Sequence, residues 1–493
     1  MSNDAPASPM INDSPPWQQM IFDGTWLPGS AGTLPVTAPA TGEVVATVGL
    51  ADTDDLERAV QAAVVAQSDW AALPYTERAS VLLRAAELLA GDPDRLTRWL
   101  VPESGSAQGK ATFEVGLVIS ELQQAAALAS APYGSLLRSS RPRLSFGRYV
   151  PVGVVGVISP FNFPAILSMR SLAPALALGN AVIVKPDPRT PISGGLALAE
   201  ILAEAGLPAG LLHVLPGDAA VGAALVEHPR VPCLTFTGST AAGRRIATAA
   251  APLLKKVHLE LGGNNALLVL PDADVDAAAS AGAWGSFLHQ GQICMTTGRH
   301  LVPAALAEEY TARLAAAANR IAVGDPTDPT NALGPIIDEQ QLKKVDEIVQ
   351  STLLSGARLV AGGTFDGLYY RPTVLADVPA DAPGFVQEIF GPVAPITTYE
   401  TVAEAIELIN ASEYGLSVAI VTANPIRALE LADKITSGAV HINDQTVDDE
   451  AVAPFGGAKA SGTGGHFGGS ANLDTFCDLQ WVTVQSEIER YPF

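Results

Sequence analysis

The chain carries three cysteines, and one of them, Cys294, lies in GQICMTT among small and polar residues instead of in an apolar run. A thiol placed in this way can act as a nucleophile, provided a neighbour takes its proton; the same residue could also be a buried structural thiol. Cys233 in VPCLTFTG and Cys477 in TFCDLQW keep apolar company and read as small buried hydrophobes. The three lie far apart without CxxC spacing, which points neither to a disulfide framework nor to a metal site. Two further polar residues stand out: Asn162 in the break SPFNFP, and Glu260 in VHLELGGNN, where a carboxylate closes an apolar run. A buried Glu calls for a partner or a task, and Lys255 or Lys256 could neutralise it. Thiol, carboxylate and side-chain amide also form a set able to act as nucleophile, general base and oxyanion donor. A cysteine hydrolase would instead need an imidazole beside the thiol, and His258 and His300 are at hand.

Such residues need a scaffold. Residues 55–90 place apolar side chains at helical spacing. The rhythm then changes to β-branched, Gly-punctuated runs: GRYVPVGVVGVIS, AVIVKP, LLHVLPG, CLTFTG, VHLELGG and ALLVL. Helical segments such as SGGLALAEILAEAGL and TAAGRRIATAAAPLL alternate with them, so residues 150–270 predict a doubly wound parallel sheet, with ligands at the C-terminal strand ends. The GxGxxG fingerprint is absent. Lys185 closes AVIVKP instead, and Gly238-Ser239-Thr240 leads from CLTF into a helix. A strand-end Lys can reach ribose or phosphate oxygens, and a Gly-Ser-Thr turn at a helix start offers free N–H groups to phosphate, or simply caps its helix.

The length of 493 residues suggests roughly three domains at about 150 residues each. No apolar stretch reaches the roughly 18 residues of a membrane span, and the start is polar and Pro-rich without a basic region, so a cytoplasmic protein with a loose arm over residues 1–16 is expected. A net charge of −22 argues against a nucleic-acid partner, because phosphate neutralisation needs a basic surface.

SPFNFP, GNAVIVKP, FTGSTAAGRRI, LELGGNN, GQICM, EIFGPV and PFGGAKASG follow one another in the order and approximate spacing of the aldehyde dehydrogenase superfamily, which the chain resembles over roughly residues 20–490. The run HINDQTVDDEAVAPFGGAKASGTGGHFGG, residues 441–469, is most similar to the benzaldehyde and vanillin dehydrogenase branch. The resemblance implies an α/β fold: a Rossmann-type doubly wound cofactor domain over 17–128 and 150–262, an α/β catalytic domain over 263–473, and a small β oligomerisation element from 129–149 and 474–493. It implies Cys294 as nucleophile, Asn162 with the Cys294 backbone N–H as oxyanion donors, and Glu260 as the base that activates water to hydrolyse a thioester. The cofactor positions it implies are Ser159, Phe161, Lys185, Pro188, Arg189, Gly217, Gly238, Ser239, Leu261, Glu388 and Phe390. A coenzyme A-dependent relative would be expected to lack the carboxylate at 260, and a structural member of the fold would be expected to lose thiol or base.

Two departures matter. Many NAD-preferring relatives carry a glutamate three residues after the strand-end lysine, where KPDPRT has Pro188. Without that carboxylate a 2′-phosphate is not repelled, and Arg189 stands beside it, so both NAD and NADP are expected as cofactors. Asn264 replaces a common lysine. For the substrate, Phe163, Arg170, Ile293, Met295 and Phe455 match pocket positions that suit a planar ring, giving an aromatic aldehyde as the expected small-molecule partner. Arg170 either turns aside to pair with an acidic residue or grips the distal carboxylate of a semialdehyde, the alternative substrate. The tail's alternating WVTVQ reads as an exposed strand that adds to a neighbour's sheet, predicting a homodimer or homotetramer.

Overall fold

The computed structural model describes residues 15–493, so the expected arm over 1–16 lies almost wholly outside the described residues. Trp17 is already buried, edge-on to Trp99 at 4.9 Å.

The helical stretch near the start is two helices, Thr53–Ala72 and Tyr75–Gly91. Asp52 caps the first through the Asp54 and Asp55 amides, and the chain breaks at Leu73 because Pro74 disfavours helical geometry in the residue before it.

The strand runs assemble into an eight-stranded sheet in the order Trp26–Pro28, Met20–Asp23, Leu212–Val214, Ala181–Lys185, Val154–Ile158, Cys233–Thr237, Lys256–Glu260, Gly462–Thr463. The five strands from Leu212–Val214 to Lys256–Glu260 are mutually parallel, and they are buried throughout or nearly so, as sheets covered on both faces require, except that Lys256–Glu260 begins with two half-buried residues. Chain order runs outward in both directions from Val154–Ile158, which makes the gap beside Cys233–Thr237 the switch point where doubly wound sheets bind ligands.

Two expectations need correction. ALLVL does not extend this sheet: Asn265–Val269 lies inside a second, seven-stranded sheet ordered Arg358–Ala361, Thr373–Ala376, Val393–Tyr399, Thr297–Pro303, Asn265–Val269, Ser417–Val421, Ala439–Ile442. The chain turns away after Glu260, where Gly262 and Gly263 allow approaches that no Cβ could make. Nor is GRYVPVGVVGVIS one strand. Gly153, at φ +113°, separates Leu144–Pro151 from Val154–Ile158 and donates its N–H to Asn180 Oδ1 at 2.9 Å. Leu144–Pro151 instead pairs antiparallel with Gly134–Leu136 and with Cys477–Val484 in a three-stranded sheet whose outer strand exposes Leu479 and Trp481 by about two thirds of their surface.

Candidate active site

The parallel strands of the first sheet end in a cleft of about 1170 Å³, lined from that sheet by Ser159, Phe161, Asn162, Lys185, Arg189, Gly238, Ser239 and Leu261, and from across by Cys294, Glu388 and Phe390. It lies just above the 300–1,000 Å³ of ordinary small-ligand pockets, so it suits an extended ligand. Among the described residues no carboxylate forms an ion pair with Lys185, whose ammonium is disfavoured by burial. Ser239 Oγ accepts the Ala242 amide at 3.3 Å, so this hydroxyl caps the helix Thr240–Ala250 while the turn's backbone faces the cleft. Pro188 and Gly217 are not among the lining residues, and Pro188 is exposed. Arg189 does line the cleft, lying 4.1 Å above the Phe161 ring, but its guanidinium is held by Asp187 at 2.8 Å and Asp338 at 2.6 Å. The charge expected to stand ready for a 2′-phosphate is thus already shared by two carboxylates.

Opposite, the small polar residues around Cys294 tie its loop down. Asn265 Nδ2 donates to the carbonyls of Cys294 and Thr296, each at 2.8 Å; Thr296 Oγ1 donates to Gly291 O at 3.0 Å; Thr446 Oγ1 donates to Met295 O at 2.7 Å. Before the loop, His289 and Gln290 hold left-handed backbone at φ +49° and +57°, a conformation that costs about 1–3 kcal/mol per residue. Gln290 Nε2 offsets this with bonds to Gly105 O at 3.0 Å and Pro335 O at 2.8 Å. A Cβ on Gly263 would fall 2.3 Å from Cys294 O, and one on Gly262 2.5 Å from Glu388 Oε2, so both glycines of LELGGNN are fixed by close approach to the site. Burial pushes the half-buried Cys294 thiol up to about 12, with Glu260 and Glu388 adding to the shift and Arg170 opposing it.

Glu260 ends its strand, buried. Neither Lys255 nor Lys256 reaches it: they bond to His228 O and, for Lys256, to the Asp474 carbonyl and the Asp478 carboxylate. Its partner is His258 Nε2, 2.9 Å from Oε1, while Oε2 has no hydrogen-bond partner among the described residues. Burial raises its carboxyl, with His258, Arg170 and His466 opposing. Glu388 is raised likewise by burial and accepts the Gly263 amide at 2.8 Å. Asn162 donates one amide hydrogen to Gln292 O at 2.8 Å and retains a second. Neither imidazole proposed for a hydrolase hydrogen-bonds the thiol, because His258 is taken by Glu260 and His300 by Ser286 and Tyr310.

On the far side of the thiol, Phe163, Ile293, Met295 and Phe455 are buried in the same apolar cluster, against which Cys294 packs. Arg170 is buried there too, 4.5 Å above the Phe455 ring and ion-paired with Asp449. Of its two expected roles, the structure shows pairing with an acidic residue. Glu121 also faces it, with its carboxyl pushed up to about 7 by burial against the pull of Arg170.

Several residues escaped the sequence reading. Lys110 Nζ bonds to Glu114 at 2.6 Å and to Asn162 O at 2.7 Å, and Glu114 accepts the Ala165 and Ile166 amides, so a buried pair anchors the turn that carries Asn162. The i, i+4 spacing in KATFE was the only signal. Asp338, which caps the helix Glu339–Leu354, and Gln341, which donates to Phe390 O at 2.9 Å, approach from 150 residues beyond KPDPRT, a distance no local pattern reveals.

The chain matches the aldehyde dehydrogenase family over residues 26–482. It is 53% identical to a vanillin dehydrogenase of Amycolatopsis sp. over 482 residues, covering 98% of this chain and 99% of that protein. It is 46% identical to the benzaldehyde dehydrogenase [NAD(+)] of Pseudomonas putida, with the same coverage of each. A crystal structure described as an E. coli NADP dependent enzyme superposes with a TM-score of 0.93 at 34% identity, covering 96% of this chain and 99% of that one. With a thiol and an amide lining one cleft of a doubly wound sheet, a buried carboxylate closing one of its strands, and likeness extending over nearly the whole sequence, this chain belongs to the aldehyde dehydrogenase family.

Proposed function

We propose that this aldehyde dehydrogenase oxidises aromatic aldehydes to acids with NAD or NADP, and that Cys294, Glu260 and Asn162 carry the reaction. The observation that carries the aromatic reading is the closed ion pair of Arg170 with Asp449 beside the apolar cluster: a carboxylated semialdehyde would have to compete with Asp449 and Glu121 for one guanidinium, whereas a planar ring needs only Phe163, Ile293, Met295 and Phe455. The names of the vanillin and benzaldehyde relatives point the same way.

The cofactor reading rests on the cleft's size, the unpaired Lys185 ammonium and the helix start at Gly238-Ser239. Lys185 would meet the ribose, Gly238 and Ser239 the pyrophosphate, and Glu388 and Phe390 the nicotinamide end. When bound, the cofactor supplies the hydride acceptor. Cys294 Sγ would attack the aldehyde carbon, Asn162 Nδ2 would donate to the oxygen on which charge develops, and Glu260 Oε2, free of partners, would take the proton from the water that hydrolyses the thioester. The reading of the chain as a cofactor unit, a catalytic unit and a bridging sheet is supported by its three largest sheets, although Gly462–Thr463, from within 263–473, joins the first of them; the bared strand Cys477–Val484 supports a homo-oligomer, which sedimentation at the mass of a single chain would remove.

The test is absorbance of reduced nicotinamide on mixing with benzaldehyde or succinate semialdehyde and either cofactor. Benzaldehyde is expected to be turned over at least tenfold more efficiently in kcat/KM, about 1.4 kcal/mol, with NAD and NADP both accepted. A preference for the semialdehyde would overturn the aromatic reading.

A further inference from the structure

Glu260 is held by a residue that its assigned task does not explain. His258 and Glu260 are two apart on one strand, so both side chains leave the same face of the sheet. The imidazole is buried, stacked on Phe467 at 4.0 Å and 23° between planes, and uses both nitrogens: Nε2 lies 2.9 Å from Glu260 Oε1 and Nδ1 3.4 Å from Thr475 Oγ1. When Glu260 is ionised its carboxylate only accepts, so Nε2 then carries the hydrogen and Nδ1 accepts the Thr475 hydroxyl. The groups facing Glu260 are His258, Arg170, His466 and Cys294. Arg170 is engaged with Asp449, and among the described residues no other side chain donates a hydrogen bond to the Glu260 carboxylate. On the strand beside it, Gly462 pairs with Glu260 and has no side chain to brace it.

We propose that His258 is the positioning residue of Glu260: it fixes the carboxylate by Oε1, favours its ionised form, and so keeps Oε2 free to receive a proton during thioester hydrolysis. This rests on Glu260 being the base. Phe467 and Thr475 set the ring's plane and tautomer, which makes the arrangement a chain of three contacts behind one oxygen.

His258→Phe keeps an aromatic ring to stack on Phe467 and removes the donor. With benzaldehyde and NAD, it is expected to retain the pre-steady-state burst of reduced cofactor, to lower steady-state kcat about tenfold, the worth of one hydrogen bond to a charged group, and to leave the aldehyde KM within about twofold. Losing a donor to the charged form raises the carboxyl's pKa, so the acid limb of the kcat profile should move up by about one pH unit. His258→Gln, whose amide restores an N–H, should return kcat to within about threefold and the limb to its place. If H258F does not fold, His258→Leu carries the same readouts. Equal losses of burst and steady state, or an unmoved acid limb, overturn the proposal. Glu260→Gln separates the two layers: a burst followed by a slow phase supports the base reading, so an H258F enzyme with wild-type kcat would then defeat the His258 role alone, whereas E260Q without a burst removes both.

Discussion

The two sides of Cys294 are built on opposite plans. Toward the first sheet lies an open cleft with an ammonium that has no ion partner among the described residues, exposed backbone at a helix start, and glycines where other backbone or side-chain atoms come close. Away from it, the walls are buried aromatic and aliphatic side chains, and the buried cations beside them already have carboxylate partners, Arg170 in Asp449 and Lys110, over the Phe163 ring, in Glu114. The first side offers charge and free backbone groups to a polar ligand; the second offers apolar surface and no unpaired charge among the described residues. The difference teaches that residue type alone does not assign a role: Lys185 and Arg170 are both buried cations, and their partners decide which one can bind an anion.

The hardest test of this contrast removes the point the two sides share. Cys294→Ala should cut turnover by more than a thousandfold while cofactor affinity, read by fluorescence titration, stays within a few-fold, because Cys294 is one of many residues that line the cleft and offers it no charge or cap. Comparable loss of affinity would merge the two sides into one. Next, Asp449→Asn frees Arg170 and should raise the ratio of semialdehyde to benzaldehyde kcat/KM about tenfold, roughly the value of one charge-assisted bond; an unchanged ratio would mean that Arg170 does not police the aldehyde side. The smallest effect belongs to Asp338→Asn, which relieves Arg189 of one of its two carboxylates. Both residues are about a third exposed, so screening limits the gain, and the NADP to NAD ratio in kcat/KM should rise only about threefold. A fall in that ratio would show that Arg189 does not meet the ribose end.

The sheet strands were legible because buried parallel strands read as short apolar runs between turn residues, and the residues at their ends could be named from that alone: Lys185, Gly238 and Glu260. Partnership was not legible. Glu260 was offered two lysines on the strength of sequence proximity, yet strand alternation gave it His258, two residues away in plain view. Arg189 looked free because Asp338 lies far along the chain, and the seven-stranded sheet took ALLVL because an apolar run does not say which sheet it will join. Local pattern fixes what an element is; which long-range contact quenches a charge depends on how distant segments meet.

The edge of the first sheet has one more consequence. Its last strand, Gly462–Thr463, pairs with Leu259 and Glu260, and Phe467 and Thr475 back His258, while Lys256 Nζ reaches the carbonyls of Asp474 and Cys477. All of these come from the final tenth of the polypeptide. A ribosome can therefore release the five parallel strands long before the carboxylate has its surroundings, and the thiol loop too waits for Thr446. The pocket around Glu260 would thus be among the last parts of the molecule to close as synthesis ends.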